Sequence, residues 1–481
     1  MQRNGNWIVV LSLLCFAELA GSLETTLVFA TLPSVIRRYG DPIAAAWLVT
    51  GFFLVAGASS ALCGRLGDLF GRSRVLVIVL AIATAGSVLS ATATNLWVII
   101  LGRSIQGTAG ALLPLCYGLA REHLPAPKLP FGLAAVTAIA SLGAAAGFLV
   151  GGAIVDHWQW QDIFTVSAVL GGAALCLCIL MLPASRPVPK SQRGADLLGG
   201  VLFAPAVGLV LLGINQFSSA GLTMRPLLIV AAGIAILAVW VRHELRQEHP
   251  LIDIRLLAQK PVALANVNAL LVALGTYQVM QIFPILIQQP RWTGIGFGLS
   301  ATMTGLLKVP SNIASALGAL WAGRLARFYG GQSAILVGAI LGLFAWLGLL
   351  LGRDNLWLVL VLVSCSSAGV VVSLTGTIAV IVDRVPAERT SEATGVTMVL
   401  RMMFQALGAQ IVAAIFAAGR IGAAAGKETY LTPSAVVGSL AFVVAVCICT
   451  VLNAEALRRS IRPGPPTARA GDAALLVGEP Q

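Results

Sequence analysis

Ionisable side chains stand inside long apolar segments of this chain of 481 residues, where a charge is costly. Glu18 and Glu24 lie in the first apolar segment, Arg103 in the fourth and Lys308 in the tenth. A carboxyl group in such a place can take up and release a proton, and a buried cation can hold an acidic group. These residue types therefore predict proton exchange and ligand binding within a membrane.

The two acidic residues are predicted to act separately. Their spacing of six corresponds to a rotation of roughly 600° on a helix, so Glu18 and Glu24 point to different faces. We predict that Glu24 is the proton-coupling carboxylate; the alternative is a fixed ion pair with Arg103. For Glu18 a coupling role and a structural role stay equally open. Arg103 cannot lose its proton and needs an acceptor. Its predicted part in proton coupling is to hold Glu24 ionised until substrate or a proton competes; the alternative is that it bonds backbone carbonyls and fixes helix packing. Gln106, one turn further on, is predicted to share its face.

Basic residues later in the chain are candidates for substrate binding. Lys308 lies deep in its segment, which favours a cation that faces a cavity and meets an anionic group. The alternative is that its long stem carries the ammonium to the membrane surface. Arg401, about two turns into the thirteenth segment, is a further candidate, for which a structural role is favoured. With Gln106, these residues form the predicted substrate-binding set.

The composition excludes several classes of protein. Hydrophobic residues make up 58% of the chain and charged residues 10%, whereas soluble proteins have about 25% charged residues. The net charge of +12 is spread over short loops, so a nucleic-acid partner is not expected. The eight cysteines and four histidines lack metal-ligand spacing, no nucleophile or acid–base pair stands at a useful spacing, and no phosphate-binding loop is present. We therefore predict an all-α integral membrane protein that is not an enzyme and holds no metal or cofactor.

Fourteen segments approach the length of about 20 apolar residues that spans a bilayer. They are 7–33, 43–63, 75–94, 96–119, 131–155, 163–183, 197–214, 226–242, 262–287, 299–322, 333–352, 355–382, 394–418 and 434–453. With a cytoplasmic amino terminus, 21 of the 31 Lys and Arg residues fall inside, 7 outside and 3 within spans. This bias predicts that both termini are cytoplasmic.

Polar segments divide the chain into four parts. Residues 1–183 are predicted to form an N-terminal six-helix bundle and residues 261–454 a C-terminal six-helix bundle. Residues 184–260 supply a linker and two inserted helices, and residues 455–481 a disordered cytoplasmic tail, rich in Pro, Gly and Ala. The prediction is thus two six-helix bundles with two central inserted helices.

A charged, glycine-spaced loop is the most specific motif. It carries Gly64, Asp68, Gly71 and Arg72, and a degraded copy returns at 323–331, displaced by 259 residues. A hinge loop repeated at the same place in each bundle predicts an internal duplication. In the fifth span Gly143, Gly147 and Gly151 recur every four residues, which permits close helix packing, either static or sliding between bundles.

These motifs resemble those of the major facilitator superfamily, and more narrowly its fourteen-span drug:proton antiporters, over about residues 7–453. The loop motif G-x-L-x-D-x-x-G-R matches at 64–72, and the fourth-span motif R-x-x-Q-G matches at Arg103, Gln106 and Gly107. The first-span motif appears at 23–33, with Glu24 in place of its Asp and Phe29 in place of its Asn. The fifth-span motif keeps Gly147, but Phe148 follows where Pro is usual. The resemblance implies that the 64–72 loop holds the two bundles together on the cytoplasmic face.

We therefore expect a multi-pass transporter of the cell membrane, acting as a monomer by alternating access between two bundles. The leading hypothesis is proton-coupled efflux of drug-like or amphipathic small molecules, with protons, substrate and lipid as its partners and the proton gradient as energy source. The alternative is uptake of an aromatic or carboxylated anion held by Lys308. A sensor built on a transporter scaffold is a distant third possibility.

Overall fold

The computed structural model describes residues 7–185, 223–246, 259–385, 390–422 and 429–461, with scattered positions between 205 and 216. Most of the seventh predicted span, most of the linker and the end of the tail lie outside the described residues. The helices are α1 (Trp7–Tyr39), α2 (Pro42–Phe70), α3 (Arg72–Thr92), α4 (Leu96–Gln106), α5 (Leu112–His123), α6 (Leu129–His157), α7 (Asp162–Met181), α8 (Met224–Glu244), α9 (Lys260–Leu274), α10 (Val279–Gln288), α11 (Ala301–Tyr329), α12 (Gly331–Gly352), α13 (Leu356–Arg384), α14 (Thr390–Ala418) and α15 (Pro433–Ser460).

The predicted spans correspond to helices wherever the structure describes them. Within those residues, twelve helical segments are long and apolar enough to cross a membrane, and α11 is as long but less apolar. Some predicted boundaries were wrong. Helix α1 continues through Arg37 and Arg38, which the sequence placed in a loop, and α15 continues through residues 455–460, which it placed in a disordered tail. Helical hydrogen bonding does not stop where apolar sequence ends, and Glu455 pairs there with Arg458 and Arg459.

The helices form two groups, which we call the N-half (α1–α7) and the C-half (α9–α15). In the N-half α1 packs along α6 and α3 against α7, and in the C-half α12 packs along α13 and α15. Between the halves, α2 packs against α14 and α6 against α11. The inserted helix α8 lies on the C-half, where Trp240 is buried with Val399 and Met403 of α14.

The predicted duplication is visible in the backbone. Helix α2 gives way to α3 at Gly71, with φ of 94°, and α11 gives way to α12 at Gly330, with φ of 82°. Residues other than glycine rarely adopt such positive φ values, so glycine is required at both turns. A second repeated element caps α4 and α13: Asn95 accepts the backbone N–H of Trp97, and Asn355 that of Trp357.

Two spans are broken near their middle. The fourth changes to a 3₁₀ turn at Gly107–Ala111, and the ninth is interrupted at Gly275 before the turn Thr276–Gln278. Discontinuous helices that meet at mid-membrane are a common setting for transporter binding sites, since they free backbone groups from helix hydrogen bonds. The sequence did not predict either break.

A short antiparallel hairpin joins α14 to α15. Its strands are β1 (Arg420–Gly422) and β2 (Thr429–Leu431), with Ile421 opposite Tyr430. We call this end of the molecule the hairpin end and the opposite end, which carries Gly71 and Gly330, the loop end. These two strands have only three residues each, and all the membrane-spanning segments described are helices. The prediction of an all-α fold is therefore confirmed.

Candidate functional site

Glu24 lies inside the N-half at the start of a chain of polar side chains. It is 4% exposed, and the Ser87 hydroxyl donates to its Oε1 at 3.2 Å. The amide of Gln106 donates to the Ser87 oxygen at 2.6 Å, and Arg103 Nη1 donates to Gln106 Oε1 at 3.1 Å. We call this chain, Glu24–Ser87–Gln106–Arg103, the relay.

The relay changes how the predicted pairing of Glu24 with Arg103 is understood. Among the described residues the two side chains form no direct ion pair; Ser87 and Gln106 stand between them. Glu24 is therefore linked to Arg103 through two neutral hydrogen-bonding groups, which can reorient. Gln106, predicted to bind substrate, is buried and engaged within this chain.

Arg103 is held by several groups besides Gln106. Its Nε donates to the backbone oxygen of Leu48 at 3.3 Å, and its guanidinium carbon lies 4.0 Å from the centre of the Phe52 ring. Both residues belong to α2, so Arg103 connects α4 to the helix that packs against the C-half. The arrangement satisfies a cation that cannot be neutralised.

The structure places Glu18 apart from the relay. It is 5% exposed on α1, and within the described part of the chain its Oε2 has no hydrogen-bond partner. A buried carboxyl with a free oxygen retains the capacity to carry a proton. Whether Glu18 has a coupling role or a structural role therefore stays a prediction.

The two basic candidates of the C-half differ in their surroundings. Lys308 is fully buried, so the alternative in which it reaches the membrane surface is wrong. Its Nζ lies 3.4 Å from Ser367 Oγ and 5.5 Å from the centre of the Phe283 ring. Arg401 is half-buried on α14, and its Nη2 contacts the sulfur of Met398, one turn earlier on the same helix, at 2.8 Å.

The glycine stripe of α6 serves packing within the N-half. A Cβ at Gly143 would meet Ser22, one at Gly147 would meet Thr26, and one at Gly151 would lie 2.6 Å from the backbone oxygen of Leu27. All three neighbours are on α1. The Thr26 hydroxyl also donates to the backbone oxygen of Ala144 at 2.8 Å, so α1 and α6 are joined as one unit.

The contact between α6 and α11 is carried by other glycines. A Cβ at Gly152 would meet the backbone oxygen of Ala301, and one at Gly305 would lie 2.6 Å from the Cα of Leu149. Beside them, Asp156 accepts the backbone N–H groups of Ala301 and Thr302 at 3.0 and 2.7 Å. The close packing between the two halves thus involves Gly152 and Gly305 rather than the stripe.

Hydrogen bonds also join the two halves toward the hairpin end. Gln410 donates to the Thr50 hydroxyl at 2.9 Å, and Gln288 donates to the backbone oxygen of Ala30 at 3.1 Å. The guanidinium of Arg420, on the hairpin, donates to the backbone oxygen of Gly40 at 2.8 Å. Each of these bonds joins the N-half to the C-half.

At the loop end, Gly71 and Arg72 are bonded to or packed against the N-half, whereas the surroundings of Gly64 and Asp68 lie outside the described part of the chain. Arg72 Nη1 donates to the backbone oxygen of Gly118 on α5 at 3.3 Å. Ser73 donates to the backbone oxygen of Pro183 at 2.6 Å, so the segment after α7 packs beside Gly71. The predicted role of this loop in holding the bundles together stays a prediction.

Residues that carry much of the site were not predicted. Ser87 and Asp156 are ordinary in type and position: one is a serine in an apolar span, the other an acidic residue at a helix end. Their importance comes from partners that are 63 and 145 residues away in the chain. A sequence alone gives no signal for such pairings.

The helix count, the buried charges and the two-half arrangement define a multi-pass membrane protein. The family model of the Major Facilitator Superfamily matches residues 14–409. The chain belongs to this superfamily, whose members are transporters and not enzymes.

Known proteins extend this assignment. The chain is 30% identical over 331 residues to a "Multidrug resistance protein B homolog" of Mycobacterium tuberculosis; the match covers 68% of this chain and 60% of that relative. It is 28% identical over 405 residues to the "Multidrug resistance protein Stp" of the same organism, covering 82% and 73%. An auto-inhibited POT family peptide transporter has the same fold, with a TM-score of 0.65 at 16% identity, covering 95% and 98%. The resemblance to drug transporters of this superfamily is confirmed.

Proposed function

We propose that this protein exports amphipathic, drug-like small molecules across the cell membrane in exchange for protons, by alternating access of its two halves. The relay is the observation that carries the proposal. Relatives described as multidrug resistance proteins support the class of cargo.

Glu24 is the proton-carrying group of this proposal. A carboxylate buried in a span must be neutralised by a proton or compensated by a nearby cation, and the relay links Glu24 to the cation Arg103. When Glu24 is ionised, the Ser87 hydroxyl donates to it and the Gln106 amide donates to Ser87. Arg103, which donates to Gln106, polarises this chain and so stabilises the negative charge. When Glu24 is protonated, it carries no negative charge for the chain to stabilise. Arg103 then interacts more strongly with its neighbours on α2, Leu48 and Phe52.

Because α2 packs against α14, the relay touches the interface that must move during transport. Contacts at the hairpin end are small glycine surfaces and single hydrogen bonds, which can be broken and remade at modest cost. The proposal is therefore that proton release and uptake at Glu24 bias the opening of this interface. With the loop end cytoplasmic, as the distribution of basic residues predicts, the present structure is closed toward the outside.

Everted membrane vesicles test the coupling. Vesicles that have been acidified inside should lose part of their pH gradient when the neutral dye N-phenylnaphthylamine or its sulfonated analogue anilinonaphthalenesulfonate is added. Glu24→Gln should abolish this response and leave dye binding intact, because the amide keeps the shape but cannot carry a proton. Glu122→Gln, an exposed position at the end of α5, is the matched control. Coupling that survives Glu24→Gln would exclude the proposed role.

A further inference from the structure

The two halves treat their buried cations differently. In the N-half, Arg103 has two hydrogen-bond acceptors, an aromatic face and a connection to the carboxyl group of Glu24. In the C-half, Lys308 is equally buried, but among the described residues its one hydrogen-bond partner is Ser367 Oγ, at a long 3.4 Å. An ammonium has three donors, so two of them are left for something else.

No anion in the described part of the chain compensates Lys308. No acidic group of the described residues forms an ion pair with Lys308 within 4.0 Å; Glu455, which pairs with Arg458 and Arg459, lies far along the chain at the end of α15. A buried charge without a counter-ion is strongly unfavourable. Such a residue in a membrane span is by default functional, and its partner then comes from outside the chain.

Lys308 lies beside the seam where the halves meet. It follows Gly305 by three residues on α11, so the two lie one turn apart on nearly the same face. Gly305 is the position at which α11 touches Leu149 of the N-half. Lys308 is the next residue of that face toward the loop end, which is the direction in which a cavity between the halves would open.

The neighbours of Lys308 indicate the chemical class of a ligand that would bind there. The Phe283 ring lies 5.5 Å from Nζ and offers an apolar surface. Asn312, four residues further along α11, lies on the same face, and its buried Nδ2 has no partner in the described residues. An ammonium beside an aromatic ring, with a free amide donor one turn further along the same helix, suits a flat apolar molecule that ends in a carboxylate or sulfonate.

We propose that Lys308 is the anion-binding position of the cargo site, and that the preferred cargo is an amphipathic molecule with one acidic group. This inference rests on the proposed function as a small-molecule transporter. It holds for either direction of transport, because it concerns recognition alone. Asn312 Nδ2 donates a second hydrogen bond to the same acidic group, and Phe283 packs against the apolar body.

A matched pair of dyes tests the proposal on the purified full chain in lipid nanodiscs. Anilinonaphthalenesulfonate carries an acidic group, whereas N-phenylnaphthylamine has the same aromatic framework without it. With the signal of empty nanodiscs subtracted, the wild type should bind the sulfonate more tightly than the neutral dye. Lys308→Met should weaken sulfonate binding about tenfold or more and leave binding of the neutral dye within about twofold.

The control is Lys260→Met, which removes an exposed lysine at the start of α9 and should change neither affinity. Lys308→Gln guards against a packing defect that is specific to methionine. Wild type that does not prefer the sulfonate overturns the proposal, as does loss of both dyes in both Lys308 variants, which would show a structural role. A failure of proton coupling in the vesicle experiment would leave this dye preference unaffected, so the two proposals can fail separately.

Discussion

The carboxylate of Asp156, at the end of α6, accepts the backbone N–H of Thr302 at the start of α11 at 2.7 Å, across the division between the halves. Its other oxygen accepts the N–H of Ala301 at 3.0 Å. The first N–H groups of a helix have no partner within the helix and carry a partial positive charge. Asp156 therefore acts as a helix cap supplied by the opposite half, and it should stabilise only the state in which the hairpin end is closed.

Replacing this cap should loosen the hairpin end. Asp156→Ala leaves two helix N–H groups without an acceptor and should cost about 1 kcal/mol of the closed state, or about fivefold in its population. Hydrogen exchange of the amides at 301–305, followed by mass spectrometry, should accelerate accordingly. Asp162→Ala is the control, because the carboxylate of Asp162 accepts the backbone N–H of Gln159, and both residues belong to the N-half. Unchanged exchange at 301–305 would show that Asp156 contributes nothing to closure.

Filling the glycine contact should obstruct closure more severely. In Gly152→Ala the new methyl group would collide with the backbone oxygen of Ala301, which cannot move aside as a flexible side chain can. We expect dye export to fall about tenfold, since the closed state becomes inaccessible. Gly323→Ala is the matched control: nothing lies within 4 Å of its added Cβ. Alanine also favours helices there by up to about 1 kcal/mol. Equal export by both variants would contradict the predicted role of this contact.

Breaking the relay at its centre should uncouple Glu24 from Arg103 without touching either charge. Ser87→Ala removes the hydroxyl between Glu24 Oε1 and Gln106 Nε2. Leaving those buried groups short of a partner should cost about 1–3 kcal/mol of stability, seen as a lower unfolding temperature in detergent. Dye-driven loss of the pH gradient should weaken in parallel. Ser104→Ala, whose hydroxyl bonds to the backbone of its own helix, should change neither. Strong coupling in Ser87→Ala would show that Glu24 acts independently of Arg103.

The sequence predicted the parts of the molecule that depend on local chemistry. Long apolar runs became helices because a bilayer leaves few other ways to satisfy the backbone. The repeated loop became two equivalent helix junctions because Gly71 and Gly330 are needed for positive φ. The buried charges Glu24, Arg103 and Lys308 were identified because charges in apolar runs are rare.

What the sequence could not predict depends on contacts between distant segments. The step from Glu24 to Gln106 passes through Ser87, and nothing in the chain distinguishes that serine from its neighbours. The same holds for Gly152, which faces α11, and Gly151, which faces α1, although they are adjacent. A shift of one residue rotates a side chain by about 100°, so the partner helix is decided by packing.

The hairpin gives a final prediction, because it is bonded to both halves at the hairpin end. Arg420 donates to the backbone oxygen of Gly40, and Gln289 donates to the backbone oxygen of Leu431 at 2.7 Å. One strand of the hairpin is therefore bonded to the residue that follows α1, and the other strand is bonded to the C-half. Arg420→Met should remove the only one of these two bonds that crosses between the halves, at a cost of about 1–2 kcal/mol to the closed state. Hydrogen exchange at 429–431 should then accelerate, together with exchange at the end of α1. Arg291→Met is the control, since that guanidinium bonds to Phe297 within its own loop. If both variants exchange alike, the hairpin is anchored by the C-half alone and does not take part in closing the transporter.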